Sequence, residues 1–153
     1  MATTPLTQHD DLDLVRLLTL VERNVALRLD EVLKAHGATV EEWRVLSLLA
    51  DNAGHAMNEI AEFTMLPAPT LTKVIDRMVS ATLVYRRADE IDRRRVLVFA
   101  SDRGPQALKQ WSAAVDREHD DLISTIGQEE IDLLRALLAR VSERLGSLPR
   151  KTV

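Results

Sequence analysis

The 153-residue sequence contains no cysteine, five glycines, five prolines and only 3% aromatic residues. The absence of cysteine excludes disulfides, thiolate metal sites and thiol-based redox sensing. The sequence has no phosphate-cradling glycine loop and no G-x-S-x-G nucleophile motif, so the common nucleotide and catalytic signatures are missing. No apolar run approaches the roughly 20 residues of a membrane span, and the first ten residues lack the pattern of a signal peptide. We therefore expect a cytoplasmic, non-enzymatic protein with no cofactor and no membrane partner.

The amino-acid composition of the chain favours helices. Hydrophobic residues make up 46% of the chain, and leucine, valine, alanine, glutamate and arginine are abundant. This composition, together with one pair of strand signals described below, predicts a mostly α fold with a small β-hairpin, and the length predicts one domain.

The net charge of −4 conceals a basic segment. Between Pro67 and Arg95 there are seven basic and four acidic residues, which give +3, so the rest of the chain carries −7. A basic patch on an acidic body favours binding to the backbone of double-stranded DNA. A solvated charged surface would have the same composition, so charge alone leaves both interpretations open.

The N-terminal part has the periodicity of helices. From Leu12 to Leu33, apolar residues recur at spacings of three and four, which predicts a long first helix. A second apolar stripe, formed by Leu17, Leu20 and Leu27, gives this helix two apolar sides and predicts that one side meets a second subunit. Further on, the spacing of Thr39 and Glu42 is that of a capping box, which predicts a helix over about 40–51.

A third short helix is predicted from Met57, and Pro67 and Pro69 prevent it from continuing. A fourth helix is therefore predicted over about 67–80, with proline in its first turn. Its buried face is predicted to consist of Leu71, Val74, Ile75 and Met78. A separate polar face carries Thr70, Lys73 and Arg77, whose hydroxyl, ammonium and guanidinium groups suit contacts in the major groove of DNA.

Strand signals follow at Leu83 to Arg87 and at Arg95 to Ala100. The residues from Ala88 to Arg94 join them as the wing of a hairpin, where an arginine can enter the minor groove. Because phosphate repels a carboxylate, Asp92 is predicted to form an internal ion pair that orients Arg94 or a neighbouring arginine. Two more helices are predicted beyond the wing, separated at Gly127, the last ending near Pro149.

Four segments together resemble the MarR family of transcriptional regulators: HGATVEEWRVLSLLA (36–50), MNEIAEFTMLPAPTLTKVIDRMVSATLV (57–84), LVYRRADEIDRRR (83–95) and VFASDRG (98–104). The resemblance implies a winged helix-turn-helix fold, with a single regulator chain over 1–153, a DNA-binding lobe over 40–100 and dimerisation helices over 11–36 and 102–148. It also implies a homodimer on a palindromic operator, with recognition helices about 34 Å apart in successive major grooves.

The resemblance further implies which residues bind. Thr70, Thr72, Lys73 and Arg77 match the recognition helix, whereas Arg93 and Arg94 match the wing, one of them entering the minor groove. Repression of transcription is implied in the same way.

In many members a small anionic aromatic compound binds between the dimer helices and the DNA-binding lobe and releases the DNA. The resemblance therefore implies an effector such as a phenolic compound or aromatic carboxylate, with Arg16 pairing with the anion and Trp43 or Trp111 forming an aromatic wall. The alternative is structural, since both tryptophans lie on core stripes and Arg16 can simply face water.

Two other functions remain open on the sequence. A metal-responsive regulator of the same fold would need clustered ligands, but the four histidines are scattered, and the pair nearest to a ligand spacing is Asp116 with His119 at i, i+3. A winged helix used as a protein-interaction module would attract acidic partners with the same arginines. Salt dependence separates that module from a DNA-binding protein.

Overall fold

The computed structural model describes residues 13–146, and its elements follow the predicted order. They are α1 (Leu14–Lys34), α2 (Val40–Leu49), β1 (His55–Ala56), α3 (Met57–Thr64), α4 (Ala68–Ser80), β2 (Val84–Ala88), β3 (Val96–Ala100), α5 (Gly104–Ile126) and α6 (Gln128–Leu145). The mostly α, winged helix-turn-helix prediction is confirmed. The predicted helix start at Leu12 and the predicted end near Pro149 lie outside the described residues.

The junction between α1 and α2 is set by local hydrogen bonds. Gly37 adopts a φ of +70°, which glycine tolerates, and the N–H groups of Gly37 and Ala38 donate to the carbonyl oxygens of Lys34 and Leu33 at 3.0 and 3.1 Å. This is the Schellman pattern that ends a helix. The predicted capping box then starts α2: the Glu42 N–H donates to Thr39 Oγ1 at 3.3 Å, and the Thr39 N–H donates to Glu42 Oε2 at 3.0 Å.

The sheet has three antiparallel strands in the order β1-β3-β2. Strands β2 and β3 form the predicted hairpin, with Tyr85 opposite Phe99. His55 lies between the predicted second and third helices, where no strand was predicted, but it pairs with Val98 as part of β1. A two-residue strand shows no alternation of apolar and polar residues, so its sequence carries no strand signal.

The chain divides into two compact units, Met1–Val115 and Asp116–Val153, with the boundary inside α5. The first unit contains the core, to which α1 to α5 and the sheet contribute residues such as Leu33, Leu46, Ile60, Ile75, Val98 and Trp111. In the second unit, α6 contains no buried residue. The length of the chain predicts one unit, whereas the observed core does not extend into α6.

The turn between α3 and α4 is closed by Met65, which has left-handed backbone angles (φ 57°, ψ 28°) and a side chain that is 83% exposed. A Cβ atom makes this conformation costly, by about 1 kcal/mol or more, and glycine avoids the cost. We expect Met65→Gly to raise the free energy of unfolding by roughly 0.5–1 kcal/mol, measured by chemical denaturation. Met65→Ala is the matched control, because it removes the exposed side chain and keeps Cβ. Equal stabilisation by both variants would contradict the explanation.

Candidate nucleic-acid interface

Helix α4 presents one buried and one exposed face. Pro67 precedes the helix and Pro69 lies in its first turn, where a missing N–H leaves no intrahelical hydrogen bond unmade. The buried face is the predicted one: Leu71, Val74, Ile75 and Met78. On the other side Thr70 and Lys73 are exposed. Thr72 is also exposed, but its hydroxyl donates to the carbonyl oxygen of Ala68 at 2.9 Å, so only its lone pairs are available.

Arg77 lies on the same polar face and has a partner within the protein. Its Nε donates to Glu42 Oε1 at 2.7 Å, and the Glu42 side chain is 7% exposed, whereas that of Arg77 is 55% exposed. The sequence analysis found Glu42 only as a capping residue. Its second contact, to a residue 35 positions away, has no local sequence signal.

The wing is held together by its two aspartates. Asp89 Oδ1 accepts a hydrogen bond from the Ile91 N–H at 2.9 Å, and Asp92 Oδ1 accepts one from the Arg94 N–H at 3.1 Å. The Arg95 N–H also donates to the Asp92 carbonyl oxygen at 2.8 Å. These contacts correct the expectation of an ion pair from Asp92 to an arginine side chain, because a short side chain in a tight turn reaches the backbone N–H two residues ahead.

The five arginines of the hairpin divide into two groups. Arg86, Arg87 and Arg95 form ion pairs with Asp76, Glu90 and Glu59 at 2.7, 3.2 and 3.3 Å respectively. Arg93 and Arg94 are exposed, and no carboxylate within residues 13–146 pairs with either guanidinium group. Opposite charges partly neutralise the first group, so the positive charge at the wing is concentrated on the two arginines that the sequence analysis selected.

An aromatic cluster lies at the base of the wing. The Tyr85 and Phe99 rings stack with centroids 5.4 Å apart, and the Arg87 guanidinium lies 4.9 Å from the centroid of Phe99. Gly54, with a φ of +71°, packs so closely that an added Cβ would overlap the Phe99 ring. Glycine is therefore required at this approach for both its backbone freedom and its lack of a side chain.

A chain of polar side chains links the turn around Gly54 to the wing and to α3. His55 contacts Asp51 through Nε2 at 2.8 Å and Glu59 through Nδ1 at 3.3 Å. The N–H of Ala53 and the His55 side chain lower the pKa of Asp51 below its ordinary value. Glu59 Oε2 also accepts a hydrogen bond from the Ala56 N–H at 3.2 Å, while its Oε1 pairs with Arg95. Sequence reasoning missed this chain, whose final contact joins residues 36 positions apart.

The predicted effector residues have different environments. Trp111 is 5% exposed and belongs to the core, and half-buried Trp43 donates from Nε1 to Ser112 Oγ at 3.2 Å. Arg16 is exposed on α1. A cleft of about 270 Å³ in the same unit is lined by other residues: Leu46, Leu49, Ala50, Asn52, Ala100, Gly104, Pro105, Leu108 and Lys109. The three residues predicted to bind an effector are therefore not gathered in this cleft.

Over residues 13–146, no three or more histidine, aspartate or glutamate side chains are placed to hold a metal ion, and His119 instead contacts Arg135 at 3.4 Å. His9 lies outside the described residues. In the same part of the chain, no helix has the length and apolarity needed to cross a membrane.

Comparison with known proteins gives a consistent result. The MarR family model matches residues 36–95. The HTH-type transcriptional regulator FarR of Neisseria gonorrhoeae is 29% identical over 112 residues, which cover 73% of this chain and 77% of that protein. The HTH-type transcriptional regulator MhqR of Bacillus subtilis is 25% identical over 130 residues, covering 85% of this chain and 90% of that protein.

This chain is also similar in its three-dimensional fold to a solved structure. A mutant of MarR from E. coli, complexed with operator DNA, superposes with a TM-score of 0.77 at 26% identity. The match covers 86% of this chain and 95% of that one.

Proposed function

Because the chain belongs to the MarR family of transcriptional regulators, which are not enzymes, we propose that it is a dimeric repressor acting on a palindromic operator in the cytoplasm. A small effector, such as an aromatic carboxylate or a phenolic compound, releases it from DNA. The recognition helix α4 reads base edges in the major groove, and the wing contacts the adjacent minor groove.

One observation carries the DNA-binding proposal. Arg93 and Arg94 are exposed in the wing and pair with no carboxylate among residues 13–146, whereas the other three arginines of the hairpin do. Thr70 and Lys73 are exposed on α4 of the same compact unit. Guanidinium groups without a protein partner suit the negative potential of a narrow minor groove. Hydroxyl and ammonium groups on a helix suit phosphates and base edges.

The proposal of a homodimer is supported by apolar side chains that the single chain leaves exposed. On α1 these are Leu14, Val15, Leu17, Leu18, Leu20, Val21 and Leu27, and on α6 they are Leu133, Leu134, Leu137, Leu138, Val141 and Leu145. Such extensive apolar surface on a soluble regulator indicates a protein interface. A second copy of the chain would cover it, with its two recognition helices about 34 Å apart.

Release by an effector follows from differential affinity. A ligand that prefers a dimer with wrongly spaced recognition helices lowers DNA affinity by the ratio of its affinities for the two states. We retain Arg16 as the candidate anion partner, with Trp43 and Trp111 as candidate wall residues. The burial of Trp111 means that an effector could touch only its edge unless the core opens.

The proposal is tested by fluorescence anisotropy of the purified protein on the DNA upstream of its own gene. Unrelated duplex DNA serves as competitor, and the titration is repeated with a panel of aromatic acids. We expect binding that resists the competitor and that one class of acid reverses. Binding to both DNAs with equal affinity would contradict sequence-specific regulation from this site.

We expect Arg94→Ala to weaken operator binding by roughly 5- to 150-fold, because it removes a guanidinium group that lacks a carboxylate partner in the described chain. The secondary structure should be unchanged, since the wing turn uses the backbone N–H of this residue. Anisotropy gives the affinity, and circular dichroism checks the fold.

Arg140→Ala is the control for this prediction, because it removes the same charge from an exposed position on α6. Equal losses in the two variants would show that the effect of Arg94 is one of net charge. The affinity of the wild-type protein should also fall linearly with salt on logarithmic axes, as expected when phosphates are neutralised. Binding to an acidic protein in place of DNA would support the protein-interaction module.

A further inference from the structure

We propose that Glu42 is a positioning residue that holds the recognition-helix side chain of Arg77 ready for DNA. The inference rests on the proposed function, because it concerns how the same interface selects its operator. The two oxygens of Glu42 have separate partners: Oε2 accepts from the Thr39 N–H at 3.0 Å and Oε1 accepts from Arg77 Nε at 2.7 Å. One carboxylate thus starts α2 and fixes a side chain of α4.

The burial of Glu42 makes its hydrogen bonds to Arg77 and Thr39 necessary. The Glu42 side chain is 7% exposed, and a charged group removed from water needs partners for its oxygens. Arg77 and Thr39 supply them. Loss of either partner leaves a buried carboxylate oxygen without its hydrogen bond, so the contact constrains Arg77 as firmly as it stabilises Glu42.

The geometry of arginine explains why the contact helps DNA binding. The guanidinium group is a planar fork with five N–H donors, and pairing through Nε leaves the two terminal nitrogens to bind elsewhere. More than half of the Arg77 side chain remains exposed, on the face that also carries Thr70 and Lys73. A side chain fixed before binding loses less conformational entropy when it contacts DNA, which raises affinity for the correctly placed partner.

A hydrogen bond to Asp30 connects the N-terminal helix α1 to the turn that carries Glu42. The Val40 N–H, in the first turn of α2, donates to Asp30 Oδ1 on α1 at 3.4 Å. A shift of α1 that pulls on this turn therefore moves the partner of Arg77. Because Trp43 follows Glu42 directly, the candidate effector wall and the positioning residue share one helical turn.

The test compares Glu42→Gln with wild type on the operator and on unrelated duplex DNA. Glutamine keeps the side-chain length but replaces one carboxylate oxygen by an NH2 group, so one of the two donors, Thr39 N–H or Arg77 Nε, meets another donor, and the charge is gone. We expect operator affinity to fall roughly tenfold while affinity for unrelated DNA does not fall, so that selectivity is lost. A merely destabilised protein would lose both affinities together.

Glu41→Gln is the matched control, because it removes the same charge one residue away in the first turn of α2. We expect it to change operator affinity by less than about twofold. Arg77→Lys is a second variant that leaves Glu42 in place and keeps the positive charge but removes the fork, and we expect the same loss of selectivity as with Glu42→Gln.

A double-mutant cycle decides whether the two residues act together. Once Glu42→Gln has been made, adding Arg77→Ala should cost little further operator affinity, because Arg77 is no longer held. Fully additive losses would overturn the proposal, as would full selectivity in either Glu42→Gln or Arg77→Lys. If the wild-type protein itself shows no selectivity for the operator, the proposed function and this inference both fail. If the wild-type protein is selective and Glu42→Gln keeps full selectivity, only this inference fails.

Discussion

Replacing Leu20 and Leu27 by glutamate is expected to convert the proposed dimer into monomers and to weaken operator binding by roughly 100-fold or more. The two side chains are 54% and 62% exposed and are seven residues apart on α1, so they lie on the same side of the helix. Charges placed there cannot be buried against a second copy without a large desolvation cost. A monomer then contacts one half-site of the operator and loses the gain from linked binding. Sedimentation measures the mass, and anisotropy measures the affinity.

Thr19→Glu provides the control for this double substitution. Thr19 is also exposed on α1 but lies about 100° around the helix from Leu20, away from the apolar stripe. It should leave the dimer intact. A double variant that remains dimeric and binds the operator normally would exclude this stripe from the interface, and α6 would then be the surface to test.

Ile75→Ala is expected to lower the free energy of unfolding by roughly 2–5 kcal/mol. Ile75 is completely buried at the centre of α4, among core residues contributed by several other elements. The substitution removes apolar contacts and leaves a cavity that helices anchored at both ends cannot close. Chemical denaturation at fixed protein concentration measures the change, since the stability of the proposed dimer would depend on concentration.

Ile75→Val tests whether the loss of stability scales with the size of the group removed. It removes a single methylene group and should cost roughly 0.5–1.5 kcal/mol. A loss below about 1 kcal/mol in the alanine variant would mean that the core around α4 relaxes into the space. That result would also argue against a rigid recognition helix, on which the placement of its polar face depends.

The parts of the fold that were predicted correctly depend on residues close together in sequence. The capping box of Thr39 and Glu42, the proline entry to α4 and the apolar face around Ile75 all act within one or two helical turns. The wing strands were found for a similar reason, since they are next to each other along the chain and joined by a short turn. Local hydrogen bonds and side-chain periodicity are enough to specify such elements.

The parts that were missed depend on distant residues. Glu42 meets Arg77 across 35 positions, and β1 exists only because β3 offers His55 and Ala56 a strand to pair with. Neither contact leaves a periodic pattern in the sequence. Asp92 was assigned the right turn but the wrong partner, because the choice between a backbone N–H and a guanidinium group depends on the exact shape of the loop.

Glu59 links α3 to the base of the wing, and this link affects how the DNA-binding lobe can move. Glu59 lies in the first turn of α3, where its Oε2 accepts a hydrogen bond from the N–H of the N-cap residue Ala56, and its Oε1 pairs with Arg95 at the base of the wing. Tilting the hairpin relative to α3 would stretch the ion pair between Arg95 and Glu59, so this contact favours movement of the hairpin and the helix-turn-helix as one piece. In the proposed binding mode, the distance between the major-groove and minor-groove contacts would then be nearly fixed, and the lobe would respond to the local width and twist of the duplex. DNA that departs from that spacing must deform to bind, and the cost of that deformation discriminates between sequences at base pairs no side chain reaches.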